Sequence, residues 1–537
     1  MKRLINISTL LVALIGLTTA CNYLHKEPLH AVSDETFWKN ENEARAFLDN
    51  IYNSLTPWDH LYTESATDNA YLRYPWEGSD LRDYTAGVHT SFTGFCGWWF
   101  SYKDIRNCYE FLNRVDGIAG IDETENTEMR AEVHFFLASE YFDMWKVYKE
   151  VPLVDKLLTL EEADVPTATE EEIKAFIVEN IDIAIAGLPA TRSDGRLTKA
   201  AAEMLKADYL LWIEDYAGVA KLTGDIIKSG NYALEPSYDA LFHSSTQTGT
   251  KENILWREYK NGVTEDWLNY LNYAFLPNGF GGGWSSVAPS TLLADAYEAK
   301  DGSYPYTTSP LYDPVNDPKG YTIRDARFEE TILYDGVYYE GILYNPLDLS
   351  DGNPNKIGGS NCTLTGYNFR KYTDMDKVTH SLCDVNNYIY RYAETLLMFA
   401  EAQNEVTGPT TEIYSAINQV RTRAGMPNVN QSIYNSKDAV RELIQRERRV
   451  EFAGESKRFW DTWRWGQNKY GSSAHWSENT LTIDMESVEY EHADGDSYTD
   501  FLRKRRDGGM GDRTYVFPIP QSALDVSKNI SQHPAWR

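Results

Sequence analysis

Five cysteines in 537 residues are too few to staple a fold together, and no two of them form a C-x-x-C pair. That scarcity argues against a disulfide scaffold, a zinc ribbon or a thioredoxin-like redox centre. Basic residues are also in short supply: 51 Lys and Arg face 80 Asp and Glu, a formal net charge of -29. A surface this negative repels phosphate backbones and anionic lipid headgroups, and no Lys/Arg run offers a local exception, so no nucleic-acid partner is expected. The G-x-S-x-G, P-loop and H-E-x-x-H signatures are missing too, and with them the usual markers of a hydrolase, a nucleotide-binding enzyme or a zinc protease. Nothing indicates a cofactor. Acidic pairs such as Asp374-Met375-Asp376 and Asp494-Gly495-Asp496 fit no EF-hand loop, which leaves a metal unassigned. What the chain does have is rings: 15 Trp and 37 Tyr, within 42% hydrophobic and 24% charged residues. That balance is of a folded globular protein, and Tyr and Trp combine an apolar face with a polar edge that suits a binding surface.

The amino terminus reads as an export signal. Lys2 and Arg3 precede the mostly apolar Leu4–Leu17, and the small residues Thr18-Thr19-Ala20 precede Cys21. The apolar run is shorter than the roughly 20 residues of a spanning helix, and no other stretch approaches that length. A Cys directly after such a segment resembles the lipobox of bacterial lipoproteins, in which Cys21 would carry the acyl chains, although Leu17 stands one position further from it than usual. The alternative is an ordinary cleaved signal followed by an incidental Cys. Residues 1–20 are thus expected to be removed and 21–30 to form a tether, leaving a mature chain two charges more acidic. The other cysteines, Cys96, Cys108, Cys362 and Cys383, permit either disulfides or buried free thiols.

Periodicity divides the remainder, 31–537, into zones. The first, about 31–260, is helical. Apolar residues of 128–148 recur at three- and four-residue steps, Thr169 with Glu172 forms a capping box, and 198–212 and 217–229 make a helix pair ended by Gly230-Asn231. Successive antiparallel pairs of this length suggest tetratricopeptide-type hairpins. The second zone, about 261–385, loses helical period and fills with Gly, Asn, Pro and Tyr, as in Gly279-Phe280-Gly281-Gly282-Gly283-Trp284. Helices return over 386–470, before a polar stretch and the tail within 467–537.

The third zone carries the most specific pattern. Arg391-Tyr392-Ala393-Glu394 opens a helix on which Glu394, Glu401 and Glu405 share a face; Arg421, Arg423, Glu447-Arg448-Arg449 and Arg458-Phe459-Trp460-Asp461 follow. Carboxylates gathered this way could serve a glycosidase or a metal, but their alternation with arginines predicts ion pairs between packed helices. In order, the motifs RYAE, EAxNE, INxVRxRAG, ERRxE, RFWDxxRWG and Pro518-Ile519-Pro520 resemble the carboxyl-terminal half of the SusD/RagB family of Bacteroidota outer-membrane lipoproteins. Phe37-Trp38, Leu293-Ala294-Asp295-Ala296-Tyr297 and Gly366-Tyr367 extend the resemblance over the mature chain, while the ending Gln532-His533-Pro534-Ala535-Trp536 departs from the family's usual one.

The resemblance implies a mainly α fold, with tetratricopeptide-type hairpins as scaffold for an irregular, loop-rich ligand-binding half. It further implies a binding protein rather than an enzyme: a lipoprotein on the outer face of the outer membrane that takes an oligosaccharide or polysaccharide and passes it to a TonB-dependent, SusC-like transporter. By similarity of residue type, Trp98 or Trp99 would supply a stacking platform beside Asp68, Arg73 and Trp76. Phe280 and Trp284 would form a second wall, their neighbouring glycines allowing close ligand approach, with Tyr304 and Tyr306 as further candidates. The acidity favours a neutral or weakly charged glycan. A surface glycoside hydrolase and a protein-binding tetratricopeptide adaptor are the competing readings.

Overall fold

The computed structural model describes residues 38–55, 58–74, 76–85, 88–260, 271–374, 384–467, 513 and 515–537; the signal, Cys21 and Cys383 lie outside them. Ten long helices make the scaffold: α1 Glu41–Tyr52, α2 Lys103–Arg114, α3 Glu123–Tyr148, α4 Glu170–Gly187, α5 Lys199–Trp212, α6 Tyr216–Ser229, α7 Tyr392–Thr407, α8 Thr411–Arg423, α9 Lys437–Glu451 and α10 Lys457–Gln467. Their ends follow local chemistry. Thr169 and Glu172 close the expected capping box on α4, Asp122 caps α3, and Asp215 caps α6. Gly230, at φ 69°, ends α6 because a left-handed residue without Cβ can turn the chain there at no steric cost.

Each helix packs on its successor from α2 to α6, and α6 then packs directly on α7. The scaffold therefore continues across a gap of sequence, and residues 230–391 are an insertion between adjacent helices. The last long helix before the insertion ends at Ser229, and the residues from Gly230 to 260 form turns, a single-turn helix over Asp239–Phe242 and a strand.

Eight short strands pair antiparallel into four two-stranded sheets among the described residues: β1 (Ala70–Leu72) with β3 (Val287–Pro289), β2 (Asn253–Arg257) with β8 (Asn387–Arg391), β4 (Ile332–Leu333) with β7 (Asn368–Phe369), and β5 (Val337–Tyr339) with β6 (Ile342–Tyr344). The β2–β8 pair closes the neck of the insertion, and β1–β3 joins the chain before α2 to its interior.

A buried ion-pair network holds that neck. Arg391, at the junction of β8 and α7, binds Glu252 at 2.7 Å, Glu451 at 2.6 Å and Glu455 at 2.7 Å. Arg327, from inside the insertion, reaches Asp325, Glu447 and Glu451 at 2.6–2.8 Å, and Arg423 also pairs with Glu252 and Glu451. Lys371 contacts Glu455 at 2.7 Å. Elsewhere Glu401 takes Arg464 at 2.6 Å, Glu394 takes Lys457 at 2.8 Å and Glu405 takes Arg441 at 2.6 Å. The carboxylates of the third zone are thus neutralised between helices, as their alternation with arginine predicted.

Cys96, Cys108 and Cys362 are free, buried thiols. The tail returns to the core: Phe517 and Ile519 are buried, and Gln532 brackets Ile519 by accepting its N–H at 2.9 Å and donating to its carbonyl at 3.1 Å.

Candidate functional site

Three of the expected ligand-facing residues, Asp68, Trp99 and Phe280, are committed to packing, and a fourth, Trp98, is partly so. Asp68 is 3% exposed; its carboxylate forms a two-point pair with Arg458 at 2.9 and 3.0 Å and meets Arg449 at 3.2 Å. It belongs to the scaffold, because a buried carboxylate without those arginines would be prohibitively desolvated. Trp99, 5% exposed, lies parallel to Phe459 at 5.9 Å and meets Trp460 and Phe95 edge-on at 5.5 Å. Trp98 is half-buried on the same cluster, edge-on to Phe95 at 5.0 Å. The two adjacent indoles therefore divide between core and core margin. Phe280, 1% exposed, packs with Leu276, Leu333, Val337, Tyr339 and Tyr344 in a small core of the insertion.

Two of the glycines around Phe280 serve packing, while a Cβ at Gly282 would meet nothing within 4 Å. A Cβ at Gly283 would stand 2.1 Å from the carbonyl oxygen of Leu276, and one at Gly279 would stand 2.2 Å from Asn355 Oδ1. Tyr304, 44% exposed, is separate again, with the Arg446 guanidinium 4.1 Å above its ring. Tyr306 is buried beneath Arg324 at 3.2 Å.

Arg73, Trp76 and Trp284 lie just past the same end of the β1–β3 ladder. The β1–β3 ladder pairs Leu72 with Val287, and the Arg73 N–H extends it by donating to the Ser286 carbonyl at 2.8 Å. The chain from 73 to 77 therefore runs alongside the end of the Gly-rich loop. On one side Trp76 stacks on Tyr74, 4.8 Å between centroids and 22° between planes, yet remains 73% exposed. One indole face is held by tyrosine and the other faces solvent. On the other side Trp284 stacks on Tyr273 at 4.6 Å and 11°, with the Trp284 N–H donating to the Tyr273 carbonyl at 2.7 Å.

Polar groups accompany the rings. Arg73 donates from Nε to the Cys362 carbonyl at 3.0 Å and lies 5.2 Å from the Tyr74 centroid. Glu77 Oε1 accepts from Ser286 Oγ at 3.0 Å, its other oxygen is buried without a partner, and burial raises its pKa. Asn361 joins the two walls: Tyr74 Oη donates to its Oδ1 at 2.8 Å, and its carbonyl accepts from the Asn278 N–H at 3.0 Å and from Ser285 Oγ at 3.3 Å.

Tyr74, Glu77, Tyr273 and Asn361 were not picked out from the sequence. Tyr74 had a usable signal, since residues two apart in extended chain share a side and Tyr74 precedes Trp76 by that step. Tyr273 and Asn361 had none, because their partners are distant in sequence. Two clefts lie elsewhere, one of ≈ 740 Å³ beside α6, α7 and α8 and one of ≈ 670 Å³ lined by Tyr102, Leu160 and Val526.

Residues 251–536 match the SusD family. The chain belongs to that family. A SusD-like carbohydrate binding protein from Bacteroides fragilis superposes with a TM-score of 0.78 at 29% identity, covering 92% of this chain and 100% of that one. SusD-like protein P2 of Formosa agariphila is 25% identical over 86% of this chain and 90% of its own length. Surface glycan-binding protein A from Bacteroides thetaiotaomicron, in complex with laminarihexaose, shares the fold at a TM-score of 0.65 and 20% identity, over 92% and 99% of the two chains. The mainly α, hairpin-built scaffold of this SusD-family chain is thus that of solved relatives. No helix among its described residues is long and apolar enough to cross a membrane.

Proposed function

We propose that this SusD-family chain is a cell-surface glycan-binding protein that captures an oligosaccharide or polysaccharide on the surface formed by Trp76, Tyr74, Trp284 and Tyr273. Arg73 and Glu77 supply hydrogen bonds at its edge. The carrying observation is Trp76: a large ring held flat by Tyr74 on one face and left open on the other, at 73% exposure. Sugars present C–H patches that stack on such a face and hydroxyls that need flanking polar partners. Relatives with glycan-binding names support the reading.

Two stacked rings and a few hydrogen bonds fit single-site binding near 1 mM, about -4 kcal/mol. Many copies on one polymer chain would raise the apparent affinity. The acidic composition favours neutral glycans. Attachment through Cys21 and handover to a TonB-dependent transporter complete the proposed role. Binding without turnover is the expected chemistry, since Glu394, Glu401 and Glu405 are all paired with basic residues.

Affinity electrophoresis of residues 22–537 through gels containing plant, host or microbial polysaccharides, laminarin among them, tests the proposal. Retardation in at least one gel, lost in the Trp76→Ala, Trp284→Ala double variant, is the expected result. Equal retardation of variant and wild type would reject this surface, and sustained release of reducing ends would favour a hydrolase.

A further inference from the structure

The two ring pairs lie just beyond the end of the β1–β3 ladder, so the ladder alone does not set their spacing. One residue hydrogen-bonds both to Tyr74 and to Ser285, the residue after Trp284. Asn361 adopts φ 55°, a left-handed conformation that asparagine tolerates better than most residues. Its backbone N–H donates to Tyr74 Oη at 2.9 Å, and its side-chain oxygen accepts from the same hydroxyl at 2.8 Å. Its carbonyl meanwhile accepts from Asn278 and Ser285, which flank the Gly-rich loop leading to Trp284. The next residue, Cys362, takes the Arg73 Nε proton at 3.0 Å. Tyr74 in turn carries Trp76 on its ring. A short chain of contacts, Trp76 to Tyr74 to Asn361 to Ser285 to Trp284, thus runs from one wall to the other.

We propose that Asn361 is a positioning residue that fixes the distance between the Trp76 and Trp284 pairs, making them two coupled subsites that select glycans by chain length. The proposal rests on the reading of these rings as a glycan surface. A short sugar engages one pair and gains nothing from the other. A chain long enough to reach both pairs binds the second intramolecularly, and that gain depends on a fixed separation, because a mobile second wall must be ordered at the moment of binding. The feature that selects length is therefore hydrogen-bond geometry below the rings, and it need not touch the sugar.

The test measures the ratio of hexasaccharide to disaccharide affinity by titration calorimetry, using laminari-, cello-, xylo- and manno-oligosaccharides with residues 22–537. Wild type should prefer the hexasaccharide of its series. Asn361→Ala, which loses the side-chain acceptor and strains the backbone, should reduce that ratio by about tenfold. Asn361→Asp retains an acceptor at the same place and should restore the ratio to within about threefold of wild type. Tyr74→Phe removes the bridging hydroxyl from the opposite side while keeping the ring, and should lower the ratio as Asn361→Ala does; this second route keeps the test decisive if Asn361→Ala fails to fold. A ratio unchanged in Asn361→Ala and Tyr74→Phe, or a loss equal for both lengths, overturns the coupling. If that happens while Trp76→Ala still abolishes binding, the glycan surface stands and only the coupling falls. Absence of binding by wild type to every series overturns both.

Discussion

Trp99 and Trp76 use the same side chain to opposite ends. Trp99 is enclosed by Phe95, four residues before it, and by Phe459 and Trp460 of α10, far along the chain. Trp76 has one principal ring neighbour, Tyr74, and keeps a face open. The first stabilises the scaffold; the second is available to a ligand at little conformational cost, because stacking has already immobilised it. The regions around them differ in the same way. The helices meet through buried ion pairs and aromatic packing, whereas the insertion places its rings on a surface through backbone pairing and single hydrogen bonds.

Substitutions should separate the two regions, most strongly at the neck of the insertion. Arg391→Met leaves Glu252, Glu451 and Glu455 without a shared cation and should cost about 3–5 kcal/mol of stability, read as a fall in the denaturation midpoint. Trp99→Ala should cost about 3–5 kcal/mol by opening a cavity in the aromatic cluster, toward the lower end if neighbouring rings relax into it.

Acid should act on the scaffold first. Burial alone would raise the pKa of Glu451, but Arg423, Arg391 and Arg327 outweigh it and hold the carboxyl well below the ordinary glutamate range. Glu455 and Asp461 are lowered against burial by their own basic neighbours. With folded values below unfolded ones, the stability these groups contribute is full above about pH 4.3 and is lost as pH falls through their folded pKa values. Thermal midpoints measured from pH 7 downward should decline across that window, and a flat profile would contradict the network's role.

The smallest stability effect belongs to the ring surface. Trp76→Ala should change unfolding free energy by no more than about 0.5 kcal/mol, as expected for an exposed side chain, while reducing retention on a bound polysaccharide. A large stability loss there would erase the contrast with Trp99.

The fold was more legible in sequence than the site. The capping box at Thr169 and Glu172, the break at Gly230 and the acids of α7 followed by the arginines of α8 and α9 are local patterns, and each appears in the structure where it was read. The site failed where local context misled. Trp98-Trp99 and Gly279–Trp284 have the composition of binding loops, yet Trp99 and Phe280 are core, because exposure depends on what else packs there. Asp68 carried the same ambiguity: only the arrival of Arg449 from α9 and Arg458 from α10 turned a candidate ligand contact into a buried ion pair.

Composition, helical periodicity and the ordered motifs were enough to set the helical class, the interruption of the scaffold and the family, since all three rest on neighbours within a few turns of chain. Which rings face solvent was decided by tertiary structure. β1 meets β3, and Asn361 meets Tyr74, across more than two hundred residues of chain, and such pairings leave no periodic trace in the sequence. The abundance of Tyr and Trp announced a protein rich in aromatic surface; the fold buried most of the expected platform and left Trp76 and Trp284, each backed by a tyrosine, to form the proposed site.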